Sequence, residues 1–285
     1  MNYELIQFPY TKTEAKPEPG NAPTPWEVWR HENIDAEDSA KICGENPWET
    51  AEELLARKSE PMPGPGRKPE NAAMVRGRAL RPLALAAYRA LCGGGKGLKP
   101  RNLRRADIPW MIAHPDLFDP KTLKIAEVHC GRAALEKAVA TGRLPKPYWA
   151  EAQHTLAVAG LKFLEVYLHN ADADADADAD AENDADKIKT GKVFKVWAER
   201  EYQAKMLSME AKFREELLAL KGQKTTFRPV MEAVMAAIAG QGPRVDYRQY
   251  RSVVPAYVLP DGGPTDTGKR ILAPTTAPKG AGAGA

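Results

Sequence analysis

The sequence predicts an α/β fold in which helices flank a mixed central sheet. Apolar residues recur near helical spacing over residues 71–91, whereas apolar and polar residues alternate with the strand period over 161–169. Residues 123–130, LKIAEVHC, form another apolar stretch of strand length. Apolar residues make up 43% of the 285-residue chain, which is enough for a substantial core.

The first part of the chain predicts a group of short helices. We expect residues 1–25 to be a disordered N-terminal segment, because its second half is rich in proline. Residues 35–58 predict two short helices that are interrupted at GENPW. Asp38 or Ser39 is the candidate cap of the first helix, and Thr50 is the candidate cap of the second.

A longer helix is predicted from Asn71 onward. Pro82 lies inside its apolar pattern and predicts a kink close to Arg81, because proline removes a backbone donor. The sequence CGGGKG after Leu91 predicts the end of the helix, since glycine favours helix termination.

Two apolar stretches with a turn between them predict a β-hairpin. Residues 108–113, IPWMIA, are the first predicted strand, and residues 123–130 are the second. The intervening DPKT has turn chemistry. Residues two apart on a strand share a face, so Glu127 and His129 are expected to point the same way.

Beyond the hairpin, residues 147–159 predict an amphipathic helix. The alternating Ala-Asp tract that follows has like charges and no large apolar side chain, so we expect a solvated linker. Phe194 and Trp197 begin a predicted long amphipathic helix, and 227–240 predict another. The predicted organisation is a disordered segment (1–25), a core (26–170), an acidic linker (171–187), a helical extension (188–245) and a mostly disordered tail (246–285).

Charge is unevenly distributed along the chain. The formal net charge is +3, but residues 171–186 carry eight acidic side chains, so the rest of the chain carries +11. Residues 67–105 hold eleven Lys or Arg and a single acid, Glu70. This asymmetry favours an anionic partner, above all nucleic acid. The alternative is a solvated basic surface.

Cysteine usage and apolar runs exclude several classes of protein. The cysteines Cys43, Cys92 and Cys130 are odd in number and widely spaced, so neither a disulfide framework nor a zinc site is supported. We expect reduced thiols in a cytoplasmic protein. The N-terminus lacks the pattern of a signal peptide, and no apolar stretch approaches the length of a membrane span.

Two acidic residues of the hairpin can carry chemistry. Asp116 follows the first predicted strand, and Glu127 lies eleven residues later in the second, so the hairpin can bring both carboxylates together. Carboxylate oxygens that leave water positions open suit Mg²⁺ or Mn²⁺. Such an ion activates water and holds a phosphate. The pair alone is not specific, because surface acids supply many such pairs.

Several stretches occur in the order and spacing of one nuclease family. They are WEVWRHENI, SAKICGENPWETAEELLARK, NAAMVRGRALRPLALAAY, IPWMIAHPDLFDPKTLKIAEVHCG and PYWAEAQHTLAVAG. Over residues 26–170 the chain thus resembles the lambda-type exonuclease family of YqaJ-like viral recombinases, within the PD-(D/E)xK nuclease superfamily. WAEREYQAKMLSMEAKFREEL resembles the helix that commonly follows this core. The resemblance implies a PD-(D/E)xK nuclease-like mixed central sheet flanked by helices, with added C-terminal helices.

The resemblance also implies an activity and a site. The activity is Mg²⁺- or Mn²⁺-dependent exonuclease action on double-stranded DNA ends, in phage or prophage recombination inside a bacterial host. A homotrimer and a single-strand annealing partner are implied as well. Asp116 and Glu127 fall on the metal-binding carboxylates, and the carbonyl of Val128 falls on a further metal ligand. Gln153 matches a helix glutamine, and Arg30 falls on an arginine that grips the DNA 5′-phosphate.

Three positions depart from the family pattern. Arg81 stands where a supporting glutamate is usual, and Glu37 stands where a phosphate-binding serine is usual. His129 replaces the catalytic lysine. A neutral histidine does not supply the fixed positive charge of lysine, but it can act as a base or a metal ligand.

Three functions stay open from the sequence. The first is an active exonuclease with Asp116, Glu127, His129 and Gln153 as catalytic residues. The second is a catalytically impaired nuclease-fold protein that binds DNA. The third is an interaction or inhibitory protein that uses the acidic tract as a nucleic-acid mimic. The predicted DNA-binding residues are Arg30, Arg76, Arg78, Arg81, Arg101, Arg104 and Arg105.

Overall fold

The structure, a computed structural model, describes residues 3–8, 23–62, 72–170 and 190–222. This part of the chain forms seven helices and seven strands. The strands are β1 (Tyr3–Ile6), β2 (Asn102–Arg105), β3 (Ile112–Ala113), β4 (Leu117–Asp119), β5 (Lys124–Cys130), β6 (Phe163–His169) and β7 (Gly191–Trp197). The helices are α1 (Pro25–Glu32), α2 (Ala36–Ile42), α3 (Ala51–Ser59), α4 (Ala72–Leu91), α5 (Arg132–Thr141), α6 (Lys146–Ala159) and α7 (Arg200–Leu220).

The strands form two sheets. β1, β2 and β3 pair in that order and are antiparallel throughout. β4, β5, β6 and β7 form a mixed sheet, in which β5 and β6 are parallel and each outer strand is antiparallel to its neighbour. α5 and α6 connect the parallel pair, because parallel strands need a crossover. The predicted mixed α/β architecture is confirmed.

The mixed sheet is covered by apolar side chains on both faces. On one face, Ile125 and Val166 join a cluster that includes residues of α6 and α7. On the opposite face, Val128 and Tyr167 pack with Tyr88 of α4. Removal of this apolar area from water is the main stabilising contribution to the fold. In the part of the chain that the structure describes, no helix is long and apolar enough to cross a membrane.

Capping residues define the starts of the short helices. Thr50 caps α3 and exchanges hydrogen bonds with Glu53 in a capping box, as the sequence predicts. The cap of α2 is Asp35, and the prediction of Asp38 or Ser39 is wrong by one turn. Asp38 instead completes the box from the third helical position. These caps satisfy backbone N–H groups that have no partner inside the helix.

The predicted strand over 108–113 is wrong in extent and in pairing. Only Ile112–Ala113 are extended, and they pair with β2. The backbone N–H of Met111 donates to the carbonyl of Ile108 at 2.9 Å, so the chain turns where a strand was expected. The true hairpin partner of β5 is β4. Burial of Ile108 and Trp110 produced an apolar pattern that resembles a strand.

The expectation of disorder over residues 1–25 is wrong for Tyr3–Ile6, which form β1. This strand pairs with β2, and Tyr3 packs edge-on against Phe118 with ring centroids 5.4 Å apart. Glu4 forms an ion pair with Arg104 across the two strands. An apolar residue at every second position was enough to add this strand to the sheet.

The helical extension predicted over 188–245 begins with a strand. Phe194 and Trp197 belong to β7, and the helix starts only at Arg200. The sequence GKVFKVW alternates and is rich in valine and aromatic residues, which favours an edge strand. The acidic linker, the predicted helix over 227–240 and the predicted tail lie outside the described residues.

A buried ion pair joins α6 to α7. His154 Nδ1 lies 2.7 Å from Glu210 Oε1, and His154 Nε2 lies 3.0 Å from the carbonyl oxygen of Ile112. Because each ring nitrogen faces an acceptor, the imidazole is held in its doubly protonated form. Burial opposes this charge, but the carboxylate of Glu210 raises the pKa of His154 above its ordinary value.

This pair predicts a specific pH dependence of stability. Its contribution should be complete below the unfolded-state histidine pKa of about 6.5 and should disappear as pH rises through the raised folded-state pKa. Urea unfolding at several pH values should show that His154→Gln costs on the order of 1–3 kcal/mol more in acid than above the folded-state pKa. Parallel pH profiles for wild type and variant would show that the pair is not ionised.

Candidate active site

A cavity of about 180 Å³ lies where β5, α2, α4 and α6 meet. Glu127 and His129 of β5 both face it, so the prediction that they share a face is confirmed. Most of the lining side chains are ionisable. The lining residues are Asp35, Ala36, Glu37, Arg81, His114, Glu127, His129 and Glu151.

Asp116 precedes β4 and is held from two sides. Pairing of Leu117 with Ala126 brings Asp116 to the level of Glu127 on the neighbouring strand. Its Oδ2 accepts a hydrogen bond of 2.8 Å from the backbone N–H of Val128. Its Oδ1 forms an ion pair with Nη2 of Arg81, which reaches over from α4. A buried carboxylate is thereby given a permanent counter-charge.

Glu127 is the second buried carboxylate of the site, with 7% of its surface exposed. Its Oε1 accepts a hydrogen bond of 3.1 Å from the hydroxyl of Thr155 on α6. Helix α6 crosses this face of β5, so a polar residue on its inner side can orient the glutamate. The carboxylate therefore has a fixed position beside Asp116.

His129 lies between an aromatic ring and an acid, both supplied by α6. Its ring stacks on Tyr148 with centroids 4.0 Å apart and an interplanar angle of 15°. Its Nε2 lies 3.8 Å from Oε2 of Glu151. Tyr148, Glu151 and Thr155 are spaced three and four residues apart, so they form one face of the helix toward β5. The imidazole is positioned by stacking and faces a carboxylate.

Arg30 of α1 pairs with two residues that line the cavity. Its Nε donates to Asp35 at 2.6 Å, and its Nη2 donates to Glu37 at 3.0 Å. Burial disfavours the charged forms of both Arg30 and Asp35. The neighbouring carboxylates nevertheless raise the pKa of Arg30. Arg30 and Lys58 hold the pKa of Asp35 well below its usual range. The predicted phosphate-binding arginine thus carries two carboxylates in this structure.

Gln153 is not brought to the cavity. Its side-chain amide donates to the carbonyl of Trp197 at 2.8 Å, and its Oε1 accepts from the backbone N–H of Glu199 at 3.0 Å. These bonds attach α6 to the junction between β7 and α7. The predicted catalytic glutamine therefore has a structural position, and its fully buried side chain points away from Glu127.

The arginines of the predicted basic path have different surroundings. Arg104 pairs with Glu4, and Arg105 pairs with Asp107 through two nitrogens, so both guanidinium groups have carboxylate partners. Arg76 and Arg78 are exposed on α4. The backbone N–H of Arg101 donates to the carbonyl of Pro115, next to Asp116. DNA binding by these residues stays a prediction.

Four site residues were not predicted from the sequence, namely Asp35, Tyr148, Glu151 and Thr155. The sequence contains a pattern from which three of them could have been predicted. Once β5 and α6 are predicted to pack together, residues three and four positions apart on α6 must face the strand. Asp35 had only the signal of a helix cap, and its place beside Arg30 depends on tertiary packing.

The donor set fits a divalent cation in kind. Asp116 and Glu127 offer carboxylate oxygens, and Mg²⁺ commonly binds through one or two carboxylates while it keeps several waters. Among the described residues, however, no group of three or more His, Cys, Asp or Glu is arranged to hold a metal ion. Arg81 also occupies one oxygen of Asp116. A cation at these carboxylates therefore requires Arg81 to move.

Comparison with known proteins identifies the domain. Residues 25–162 match the model of the YqaJ-like viral recombinase domain. No curated protein matches the chain. An alkaline exonuclease, LHK-Exo, from Laribacter hongkongensis has a similar structure, with 18% identity, a TM-score of 0.50, and coverage of 75% of this chain and 98% of that chain.

Two further solved structures are similar. LHK-Exo in complex with dAMP has 17% identity, a TM-score of 0.51, and coverage of 75% of this chain and 97% of that chain. A phage-related exonuclease from Haemophilus somnus 129PT has 13% identity, a TM-score of 0.46, and coverage of 67% and 95%.

The fold is that of the lambda-exonuclease type of nuclease, which the sequence resemblance implied. Through residues 25–162, the chain is similar to the YqaJ-like viral recombinase family.

The position of Gln153 generates a stability prediction. Gln153→Met has a similar volume but removes the amide, so the backbone groups of Trp197 and Glu199 lose their partner. The expected cost is about 0.5–1.5 kcal/mol in the free energy of unfolding for each hydrogen bond that is lost. Urea denaturation measures it, with Gln203→Met, at a partly buried position, as a partial control that removes only the bonds to Gln153. An unchanged free energy of unfolding in Gln153→Met would contradict a stabilising role of this side chain at the junction between β7 and α7.

Proposed function

We propose that this chain is a metal-dependent nuclease that acts on the ends of double-stranded DNA. The observation that supports the proposal is the pair of buried carboxylates, Asp116 and Glu127, held side by side next to a cavity in a YqaJ-like domain. Hydrogen bonds from Val128 and Thr155 fix both groups, as expected for a site that must keep its geometry.

In this proposal Asp116, Glu127 and the carbonyl of Val128 hold the cation. Mg²⁺ or Mn²⁺ held by these groups would supply an activated water molecule and a counter-charge for the scissile phosphate. Arg81 leaves Asp116 and turns its guanidinium toward the same phosphate. His129, held on Tyr148, accepts a proton from the attacking water. Its neighbour Glu151 stabilises the imidazolium that results.

In this proposal, DNA binding breaks ion pairs that are formed within the protein. Arg30 is held by Asp35 and Glu37, and a DNA 5′-phosphate would replace at least one of these carboxylates as its partner. The proposal has three further parts, which are supported by the family resemblance alone. They are action in recombination with an annealing partner, a homotrimeric assembly and a location in the cytoplasm of a bacterial host.

One observation favours a second candidate function, DNA binding without cleavage. The guanidinium of Arg81 places a positive charge on Asp116, where a metal ion would otherwise lie. A fixed organic cation balances the charge of the site but does not activate water. Under this candidate the arginines of the predicted basic path hold the DNA through charge, and binding depends on salt concentration and is independent of metal.

Incubation of the protein with linear duplex DNA labelled at its 5′ ends separates the two functions. For a nuclease, we expect mononucleotide release with Mg²⁺ or Mn²⁺ and none with EDTA. Glu127→Gln should abolish release, and His129→Ala should lower its rate by about 100-fold, as is typical for a lost proton acceptor. Wild-type rates in both variants would show that this cavity is not the active site.

The second candidate predicts a different result in the same assay. Wild-type protein should retain the duplex in EDTA and release nothing with metal. The double variant Arg81→Glu, His129→Lys should then gain metal-dependent release, because it supplies a third carboxylate and a fixed positive charge. Absence of both release and retention would contradict both functions.

A further inference from the structure

The central sheet carries polar and aromatic residues on the face opposite the candidate active site. Side chains alternate along a strand, so Lys124 of β5 lies on the other face from Glu127 and His129. The register places Glu165 beside Lys195, and Phe163 beside Trp197, on that same face. This surface is built by different side chains from those that line the cavity around Glu127.

Two aromatic rings are exposed at the edge of this surface. Phe163 is 37% exposed and Trp197 is 56% exposed, and their ring centroids lie 5.1 Å apart. The ammonium of Lys195 lies 3.8 Å from the centroid of Phe163 and 4.6 Å from that of Trp197. We call Phe163, Lys195 and Trp197 the aromatic platform. It combines partly exposed aromatic rings with a positive charge.

A larger cavity adjoins the platform. It has a volume of about 730 Å³ and includes Phe163 in its lining, together with three lysines, Lys96, Lys124 and Lys162. The glycine-rich turn after α4 forms another wall. Gly93 and Gly95 in that turn have positive φ angles of 66° and 55°, which bring bare backbone to the cavity surface.

The acids of this cavity are already engaged within the fold. Glu165 accepts a hydrogen bond of 2.5 Å from the hydroxyl of Tyr88 and pairs with Lys124 at 3.3 Å. Asp119 accepts from the backbone N–H of Lys121 and from the hydroxyl of Thr122, so it closes the β4–β5 turn. The three lysines of the lining outnumber its two acids, so the net charge that faces an incoming ligand is positive and favours an anionic one.

From this arrangement, we propose that the aromatic platform and its adjoining cavity bind single-stranded DNA. Bases stack on Phe163 and Trp197, and Lys96, Lys162 and Lys195 contact the phosphates. Exposed aromatic rings beside lysines suit single strands, because an unpaired base offers a free π-face, whereas the bases of a duplex are stacked on each other. Binding here goes beyond the proposed function, because it needs neither metal nor cleavage.

The test measures the affinity of the full chain for a fluorescently labelled oligothymidylate by anisotropy, with EDTA present. EDTA and the additional variant Glu127→Gln keep the result independent of nuclease action. Trp197→Ala and Phe163→Ala should each weaken binding by about 10-fold, since one base–aromatic stack contributes about 1–3 kcal/mol. Trp197→Phe should retain most of the affinity, because it keeps an aromatic face.

Lysine substitution provides a second readout. Lys195→Gln should weaken binding and reduce the slope of log affinity against log salt concentration by about 0.7, the value for one lost phosphate contact on a single strand. Matched controls are Trp48→Ala, in an exposed loop, and Lys212→Gln, whose side chain is exposed on α7. Both should bind as wild type does.

Three results would overturn the proposal. They are absence of oligothymidylate binding by wild-type protein, unchanged affinity in Trp197→Ala and Phe163→Ala, and equal losses in the control variants. A surface that binds only a peptide would give the first of these results. Thermal unfolding of each variant excludes loss of folding as the cause of weakened binding.

Discussion

The position of β5 is the constraint on which the rest of the structure depends. This strand is paired with β4 on one side and with β6 on the other, and helices cover both of its faces. Each residue of β5 therefore has a fixed face. Glu127 and His129 point toward α6, whereas Lys124 points toward the other side. A shift of register by one residue would exchange these two sets and remove both sites at once.

Ion pairs within the fold offset part of the charge around the cavity. Asp116 is paired with Arg81, and Arg30 is paired with Asp35 and Glu37. Buried groups of this kind are costly without partners, so the pairs stabilise an arrangement that DNA or a cation would have to open. Exchange of one ionic partner for another then links substrate binding to rearrangement of the site.

Local patterns made much of the fold predictable. Thr50 as a helix cap, and Glu127 with His129 on one face of a strand, follow from short-range rules of capping and alternation. β4 was not predictable, because a three-residue strand leaves little periodic signal and its pairing with β5 is a tertiary choice. Trp197 was assigned to a helix because its spacing from later apolar residues matches the helical period by coincidence.

The carboxylates of the site could be predicted from the sequence, but their ion-pair partners could not. Asp116 and Glu127 stand out in sequence because of the hairpin and the family resemblance. The ion pair with Arg81 depends on how α4 lies across the sheet, which no local pattern determines. Gln153 matches a family motif, but its amide is bonded to the backbone 44 and 46 residues further along the chain, and its catalytic role stays a prediction.

In the proposed nuclease, the cavity beside Glu127 receives a DNA end and a cation in place of its internal ion pairs. A crystal structure of the protein with a short duplex and Mn²⁺, with manganese located by anomalous scattering, tests this exchange. We expect a manganese peak about 2.0–2.4 Å from carboxylate oxygens of Asp116 and Glu127, with Arg81 moved to a phosphate. A duplex bound elsewhere, with Arg81 still on Asp116 and no manganese at Glu127, would contradict it.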